Sequence, residues 1–246
     1  MSHLQPFDEE RTTLKWGGLA GMLGSLLFIF VFAWVGVVVG ADPVEPAGAI
    51  ARFPDIRVAR TVENGVYLAA LILWAVHFAA LYRALRATSL AASLFGTVLV
   101  IVGLTILAAG ALPHAASVII SDLYHAPGAT AADQATLALV WQGHQGVFTA
   151  LLVTGLAIVP FGVVGLGTAM LGAPAFGRLL GWASVGLGLA AAASALVMLV
   201  DPTSAIAVIG FLALIVFHLA VGWRVYALSR TPWVNSTAWA AAESMP

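Results

Sequence analysis

The chain has 246 residues, of which 61% are hydrophobic and only 9% charged, with a mean hydropathy of +1.02. A soluble protein is about a quarter charged because its surface faces water, so this composition excludes a soluble enzyme and a disordered chain. It indicates an integral membrane protein whose main partner is the lipid bilayer. The net charge of −1 gives no basic field for nucleic acid, so we expect no nucleic-acid partner. The absence of cysteine excludes disulfides and thiolate-ligated metal centres.

Six charge-free stretches are long enough to cross a bilayer, which takes about 20 apolar residues in a helix. They predict an all-α, multi-pass bundle with six transmembrane helices. The predicted spans cover residues 16–40, 64–82, 90–112, 146–170, 179–200 and 204–223. A tight turn at Asp201-Pro202-Thr203 separates the last two spans, because proline cannot continue the fifth helix.

The spans divide the chain into three parts. The membrane domain covers residues 16–228 and follows an N-terminal segment, residues 1–15. The tail, residues 229–246, is only weakly polar, and we expect it to be disordered.

The basic residues predict the orientation of the bundle. With six spans, seven of them share one side, while Arg52, Arg57 and Arg60 lie in the first loop of the other side. The positive-inside rule places the side with seven in the cytoplasm, so both termini are expected there. Arginine outnumbers lysine nine to one, and alanine and glycine abound, which suits a GC-rich bacterial genome. We therefore expect a protein of the bacterial cytoplasmic (inner) membrane.

The first external loop, residues 41–63, is too long for a simple turn. Pro54 followed by Asp55 predicts a short helix that runs into the second span. Glu63, at the end of the loop, is expected to be a solvated acid at the membrane interface.

The second external loop, residues 113–145, contains no lysine or arginine but several apolar residues. Thr130 followed by Asp133 resembles a capping box. It predicts a helix from Ala131 to about Trp141 that lies at the interface or leads into span four. Loops of this length are usually functional or disordered, and the apolar residues indicate an ordered cap of one or two short helices over the external mouth of the bundle.

Glycines recur at four-residue spacing at several spans, and small residues let helices approach closely in lipid. One interpretation is a homodimer formed through small-residue helix faces. The other, which we favour, is packing within a single bundle. The glycine pairs are Gly17 and Gly21, Gly36 and Gly40, and Gly177 and Gly181.

Histidine is the only ionisable side chain in the central parts of the spans. His77 and His218 each lie six residues before an arginine, about 9 Å along the helix. Because spans two and six run in the same direction, we expect both imidazoles to lie at one depth and to face one interior site.

An aromatic stripe accompanies this pair. Tyr67 and Trp74 share one side of span two with His77, and Gly222, one turn after His218, is expected to leave space beside it. The predicted ligand site therefore consists of His77, His218, Trp74 and Tyr67, and suits a small apolar or ring-shaped ligand.

A second histidine group lies on the external side. His114 follows span three, His125 lies in the loop, and His144 precedes span four. Imidazoles bind Zn²⁺ and Cu²⁺, so a divalent metal at these three residues is one alternative. Ligation of haem b by the two inner imidazoles is another. The interpretation we favour has no cofactor and gives each histidine a structural hydrogen bond.

Three short motifs carry a family resemblance. Leu14–Gly21 places a basic residue before a span rich in small residues, and Ala173–Trp182 places proline, arginine and Leu-Gly-Trp before span five. Gly222-Trp223-Arg224 ends span six. In these features the chain resembles a bacterial family of six-span membrane proteins of unknown function. The resemblance implies the six-span fold and supplies no catalytic residues.

No nucleophile motif, phosphate-binding loop, HExxH motif or paired carboxylate is present in the sequence. The leading interpretation is therefore a non-enzymatic membrane module that senses, scaffolds or binds a small apolar ligand. A histidine-based haem- or metal-binding redox protein is the alternative. A small-molecule transporter ranks third, because no acidic residue lies at mid-membrane depth, where proton-coupled transporters usually place one.

Overall fold

The computed structural model describes residues 6–201 and 204–230. The tail from residue 231 onward and the centre of the predicted turn at Pro202 lie outside the described residues. Within the described residues the chain forms seven α-helices and one π-helical segment. They are α1 (Pro6–Trp34), the π-helical segment (Val35–Val39), α2 (Pro46–Leu85), α3 (Leu90–Ala109), α4 (Ala111–Tyr124), α5 (Ala131–Leu171), α6 (Arg178–Val200) and α7 (Ala207–Arg230).

The predicted all-α, six-span architecture is confirmed. Six helical stretches are long and apolar enough to cross a membrane, and the third of them runs through both α3 and α4. Large apolar side chains such as Phe95, Leu189 and Leu212 are exposed on the outside of the bundle. Such exposure suits a protein whose solvent is lipid rather than water.

The six spanning helices pack in a closed ring. α1 lies between α2 and α7, α6 lies between α7 and α5, and α3 lies between α5 and α2. Large aromatic side chains fill the interior, among them Phe28, Trp74, Phe78 and Phe217, which are all fully buried. The two interior regions described in the next subsection both include residues of α1, α2 and α7.

Glycines determine how closely these helices approach. A methyl group on Gly18 of α1 would lie 2.5 Å from the backbone nitrogen of Tyr226 and 2.7 Å from the carbonyl oxygen of Gly222, both on α7. Gly96 of α3 and Gly162 of α5 face each other in the same way. Small residues therefore bring backbones into direct contact, which is how helices gain packing energy in lipid.

Several glycines of the predicted dimer faces are used within the bundle. Gly17 and Gly21 of α1 pack on α2, and Gly181 of α6 packs on Leu171 of α5. By contrast, a side chain on Gly36 would meet no atom within 4 Å. This supports packing within one chain for the first three glycines, and the homodimer stays a prediction.

Two helices are much longer than a membrane is thick. α2 has 40 residues and α5 has 41, so each is about 60 Å long at 1.5 Å per residue, twice the hydrocarbon thickness of about 30 Å. Their N-terminal parts lie at the same end of the bundle, where α4 packs on both. These three elements form an ordered cap. The sequence predicted a cap of one or two short helices from residues 113–145 alone, whereas α2 also contributes and α5 continues into a span.

The cap has its own small apolar core, separate from that of the bundle. The rings of Phe53 and Trp141 meet edge to face with centroids 5.5 Å apart. The buried members of this core are Ala49, Ile50, Phe53, Ile120 and Trp141.

The boundaries of the cap helices differ from the prediction in two places. α2 begins at Pro46, eight residues before Pro54, which lies inside the helix. The predicted third span, residues 90–112, is divided between two helices. α3 ends at Ala109, and α4, which contains His114, begins at Ala111. The helix predicted from Ala131 is confirmed, with Thr130 and Asp133 forming a capping box, and it continues unbroken into span four.

Ion pairs hold the three arginines of the cap end. The Nη1 atom of Arg52 lies 3.5 Å from Oδ1 of Asp42, and that of Arg57 lies 2.9 Å from Oδ1 of Asp122. Arg60 pairs with both Asp42 and Glu63. Each arginine of the cap end is thus paired with an acid of the same end. The opposite end, which carries the other seven basic residues, is called the basic end below.

Replacing Gly18 with alanine should lower the free energy of unfolding by about 1–3 kcal/mol, because the added methyl overpacks the contact between α1 and α7. The measurement is unfolding of the purified protein in mixed micelles by sodium dodecyl sulfate. Gly186→Ala is the matched control, since a side chain there meets no atom within 4 Å. An equal loss of stability in both variants would contradict the close contact.

Candidate functional site

The two inner histidines meet as predicted. His77 of α2 and His218 of α7 are both fully buried, and their ring centroids lie 5.0 Å apart. The matched depth deduced from the sequence therefore corresponds to a direct side-chain contact in the interior of the bundle. We call His77, His218, Trp74 and Phe78 the inner histidine cluster.

The rings of this cluster are tightly packed. Trp74 stacks on His218 with centroids 4.1 Å apart and an interplanar angle of 10°. Phe78 meets the same imidazole edge-on at 4.7 Å. On the other side, a methyl group on Gly21 would lie 2.7 Å from the ring of His77, so α1 covers the cluster directly.

One hydrogen bond fixes the tautomer of His77. Its Nδ1 lies 2.9 Å from the carbonyl oxygen of Gly17. A carbonyl oxygen only accepts hydrogen bonds, so Nδ1 carries the hydrogen in a neutral imidazole and Nε2 is left as an acceptor.

The other polar atoms of the cluster are buried without a hydrogen-bond partner among the described residues. They are Nε1 of Trp74, Nε2 of His77 and both ring nitrogens of His218. Burying an unsatisfied polar group costs about 1–3 kcal/mol, so these residues are costly where they stand. Polar groups inside a membrane domain generally suggest a functional role.

The cluster does not fit a haem held by His77 and His218. Such a haem lies between its two axial imidazoles, whereas these imidazoles contact each other and are covered by Trp74 and Phe78. Gly222 leaves no space either, since a side chain there would lie 3.0 Å from the carbonyl oxygen of Gly18. The expected gap beside His218 is therefore filled by α1.

A cavity of about 190 Å³ lies beneath the cap. Its walls are mostly apolar, and α2 and α4 contribute the polar residues Glu63, Asn64, Tyr67 and His114. We call this space the outer cavity. The remaining lining residues are Phe28, Val31, Phe32, Val35, Phe148, Leu152 and Phe211.

Two of the polar residues around the outer cavity, Tyr67 and Asn64, hold α2 against α3 and α4. The Tyr67 hydroxyl donates to the carbonyl oxygen of Leu107 at 2.9 Å, and the Asn64 amide donates to that of Ala111 at 3.4 Å. The Oδ1 atom of Asn64 is buried and accepts no hydrogen bond from the described residues. Asn64 therefore keeps one buried acceptor atom without a partner at this edge of the cavity.

Glu63 corrects an expectation from the sequence. It is not a solvated acid, because its side chain is only 15% exposed and accepts a hydrogen bond from Arg60 at 2.9 Å. The paired carboxylate closes the polar edge of the outer cavity next to Asn64.

Tyr67 belongs to the outer cavity and not to the inner histidine cluster. Phe28 of α1 connects the two regions, since its ring meets Tyr67 edge to face at 5.7 Å and stacks on Trp74 at 4.3 Å. The four predicted ligand residues are thus divided between two regions joined by one aromatic side chain.

The three external histidines are not brought together. His114 lines the outer cavity with its ring against Phe148 at 4.7 Å. His144 bonds to the carbonyl oxygen of Pro113, and Nδ1 of His125 lies 2.8 Å from that of Ser121. In the described part of the chain, no group of three or more histidine, aspartate or glutamate side chains is placed to hold a metal ion.

The sequence analysis missed Asn64, Phe28 and Leu152 as cavity residues. Asn64 could have been identified from the sequence, because it lies three residues before Tyr67 and therefore on the same face of α2. The other two lie on different helices, where sequence spacing says nothing about register between helices.

Comparison of the chain with protein-family models, curated proteins and solved structures finds no match. The resemblance to a six-span bacterial family therefore rests on its short motifs alone.

Titration of the purified protein with haem b should give no spectrum of a two-histidine haem, because the two imidazoles contact each other and leave no gap for the haem ring. Absorbance spectroscopy in detergent measures this directly. A haem spectrum that is present in the unaltered protein and lost in His218→Leu would overturn the packed arrangement.

Proposed function

We propose that the chain is a non-enzymatic membrane protein that binds a small, largely apolar ligand in the outer cavity, as the first step of a sensing function. The observation that carries this proposal is the mostly apolar outer cavity, with Asn64 among its lining residues and the Oδ1 atom of that residue buried without a hydrogen-bond partner. Ligand sites typically combine apolar walls with a few fixed polar groups.

The size of the cavity limits the ligand. An apolar cavity of about 150 Å³ binds benzene in another protein, and the outer cavity is slightly larger at about 190 Å³. The space therefore suits a single ring or a short chain, and is small for a drug-sized molecule.

The polar edge limits its chemistry. Asn64 Oδ1 accepts hydrogen bonds and cannot donate them, and the neighbouring Glu63 carboxylate also accepts. A ligand with one O–H or N–H group would satisfy the buried amide oxygen, whereas a purely apolar ligand would leave it unpaired at a cost of about 1–3 kcal/mol.

Two features support sensing over transport. Phe32 lines the cavity and is also 40% exposed on the outside of the bundle, so a ligand dissolved in the membrane has a short approach. Toward the basic end, the buried rings of Trp74 and Phe78 fill the interior instead of a continuing channel. Phe28 touches both the cavity and Trp74, which gives ligand binding a route to the inner histidine cluster.

We further propose that the bundle lies in a bacterial cytoplasmic membrane with both termini in the cytoplasm. The support is the division of basic residues, seven at the basic end and three at the cap end. The pairing of all three cap arginines with acids removes the main objection to this orientation.

Phenol should bind roughly two- to tenfold more tightly than toluene, which has the same number of heavy atoms, because only phenol donates a hydrogen bond to Asn64. Asn64→Leu should abolish this preference. Calorimetric titration of the purified protein measures both affinities.

Leu152→Trp tests the location by filling the outer cavity, and should abolish the binding of both compounds. Leu189→Trp is its matched control, since Leu189 is 54% exposed on α6 and faces away from the cavity. Unchanged phenol binding in Leu152→Trp would exclude the outer cavity as the site.

Topology can be measured with reporter fusions in a bacterial host. Fusions after Arg86 and after Arg230 should both report the cytoplasm, and a fusion at Gly128, between α4 and α5, should report the outside. Opposite reports would reverse the proposed orientation.

A further inference from the structure

A second pocket lies at the basic end, between the first turns of α1 and the last turns of α7. Its volume is about 400 Å³, and unlike the outer cavity it is lined mainly by polar and positively charged side chains. We call it the basic pocket. Its lining residues are Arg11, Thr12 and Lys15 of α1 and Tyr226, Ser229 and Arg230 of α7.

Contacts with uncharged groups hold the three cations around this pocket. Arg11 Nε donates to the carbonyl oxygen of Ser229 at 3.2 Å. The Arg230 guanidinium lies over the ring of Tyr226 at 5.8 Å, and the Lys15 ammonium lies over the ring of Trp16 at the same distance. The two helices therefore place their charges on one site.

None of these three cations forms an ion pair with an acid in the part of the chain that the structure describes, although Glu9 and Glu10 precede Arg11 on α1. The ion pairs formed in the described part all belong to the three arginines of the cap end. Three positive charges that share one pocket repel each other, so an anion placed among them would relieve that repulsion.

Two tryptophans place the basic pocket at the level of the lipid headgroups. Trp16 and Trp223 are 61% and 62% exposed. Trp16 contacts Lys15, and the ring of Trp223 lies 6.1 Å from that of Tyr226. Exposed tryptophans of membrane proteins collect at the boundary between the hydrocarbon core and the headgroups.

We propose that the basic pocket binds the phosphate of an anionic phospholipid headgroup. Guanidinium and ammonium groups form strong, charge-assisted hydrogen bonds with phosphate oxygens, and the hydroxyls of Thr12 and Tyr226 add neutral donors. Basic pockets between membrane helices are known to bind such headgroups. The position beside exposed tryptophans favours a lipid over free phosphate, because the acyl chains of a lipid continue along the outside of α1 and α7.

The test uses the full chain reconstituted in nanodiscs of phosphatidylcholine with increasing amounts of phosphatidylglycerol. Displacement of brominated phosphatidylcholine, read from tryptophan fluorescence, gives the relative affinity for the anionic lipid. A direct hydrogen bond to the bound phosphate contributes about fivefold, and a basic residue outside the pocket does not form one. In the triple variant Arg11→Gln, Lys15→Gln, Arg230→Gln, the preference for phosphatidylglycerol over phosphatidylcholine should therefore fall on the order of a hundredfold.

A matched control removes the same charge from the same end, outside the pocket. Arg83→Gln, Arg86→Gln, Arg178→Gln should retain most of the preference, since these arginines do not line the basic pocket. Equal losses in both triple variants would show that only the general surface charge matters and would overturn the proposal.

Two further arms keep the test decisive. If the pocket variant is poorly folded because Arg11 also bonds to α7, Lys15→Gln alone should weaken the preference about fivefold, and Arg83→Gln should not. Inorganic phosphate added to the nanodiscs should fail to displace phosphatidylglycerol. Full displacement by inorganic phosphate would identify free phosphate as the ligand and overturn the assignment to a lipid.

Discussion

Helix α1 touches α2 and α7 through glycines, and the geometry of both interior regions follows from this contact. Gly21 lies against the ring of His77, and a methyl group on Gly24 would lie 2.7 Å from the ring of Trp74. Gly18 meets the backbone of α7 next to Tyr226, which lines the basic pocket. In lipid the hydrophobic effect does not drive helices together. The close contacts at these glycines therefore stabilise the helix pairs through van der Waals packing. They bring aromatic and imidazole rings together in a bundle whose central parts hold no carboxylate or guanidinium.

Both α2 and α5 continue past the core of the bundle and pack with α4 on the small core around Phe53 and Trp141. The outer cavity lies next to this cap and is lined by residues of α1, α2, α4, α5 and α7. The chain passes from α1 into the π-helical segment at Val35, and this segment contacts α2. A π-helical segment changes the direction of the side chains that follow, and such segments are frequent at functional sites. Val35 itself lines the cavity.

The sequence predicted what depends on local composition, together with the matched depth of His77 and His218, and failed at the start of α2 and at the position of Tyr67 along the axis of that helix. Spans follow from apolar length, and the start of α5 follows from the capping box at Thr130. The start of α2 was misplaced because Pro46 and Pro54 both suit a first helical turn, and the packing of Ile50 and Phe53 in the cap settles between them. Tyr67 was assigned to the correct face of α2 but to the wrong region. It lies ten residues from His77, about 15 Å along the helix axis. Helical periodicity shows that two residues share a face, but not whether they are close enough to share a site.

The unpartnered ring nitrogens of the inner histidine cluster can be related to its link with the outer cavity. Replacing such buried polar groups with apolar ones is often neutral or stabilising, so packing alone gives no reason to keep two imidazoles there. Phe28 joins Trp74, and through it His218, to the wall of the outer cavity. Under the proposed function, a ligand that displaced Phe28 would change the stack over His218 and with it the contact to His77. Polar atoms without fixed partners can form new hydrogen bonds when that stack shifts, whereas an apolar core at the same place would have no second arrangement to favour. The cost of burying these nitrogens is thus consistent with a bundle that responds to what occupies its outer cavity.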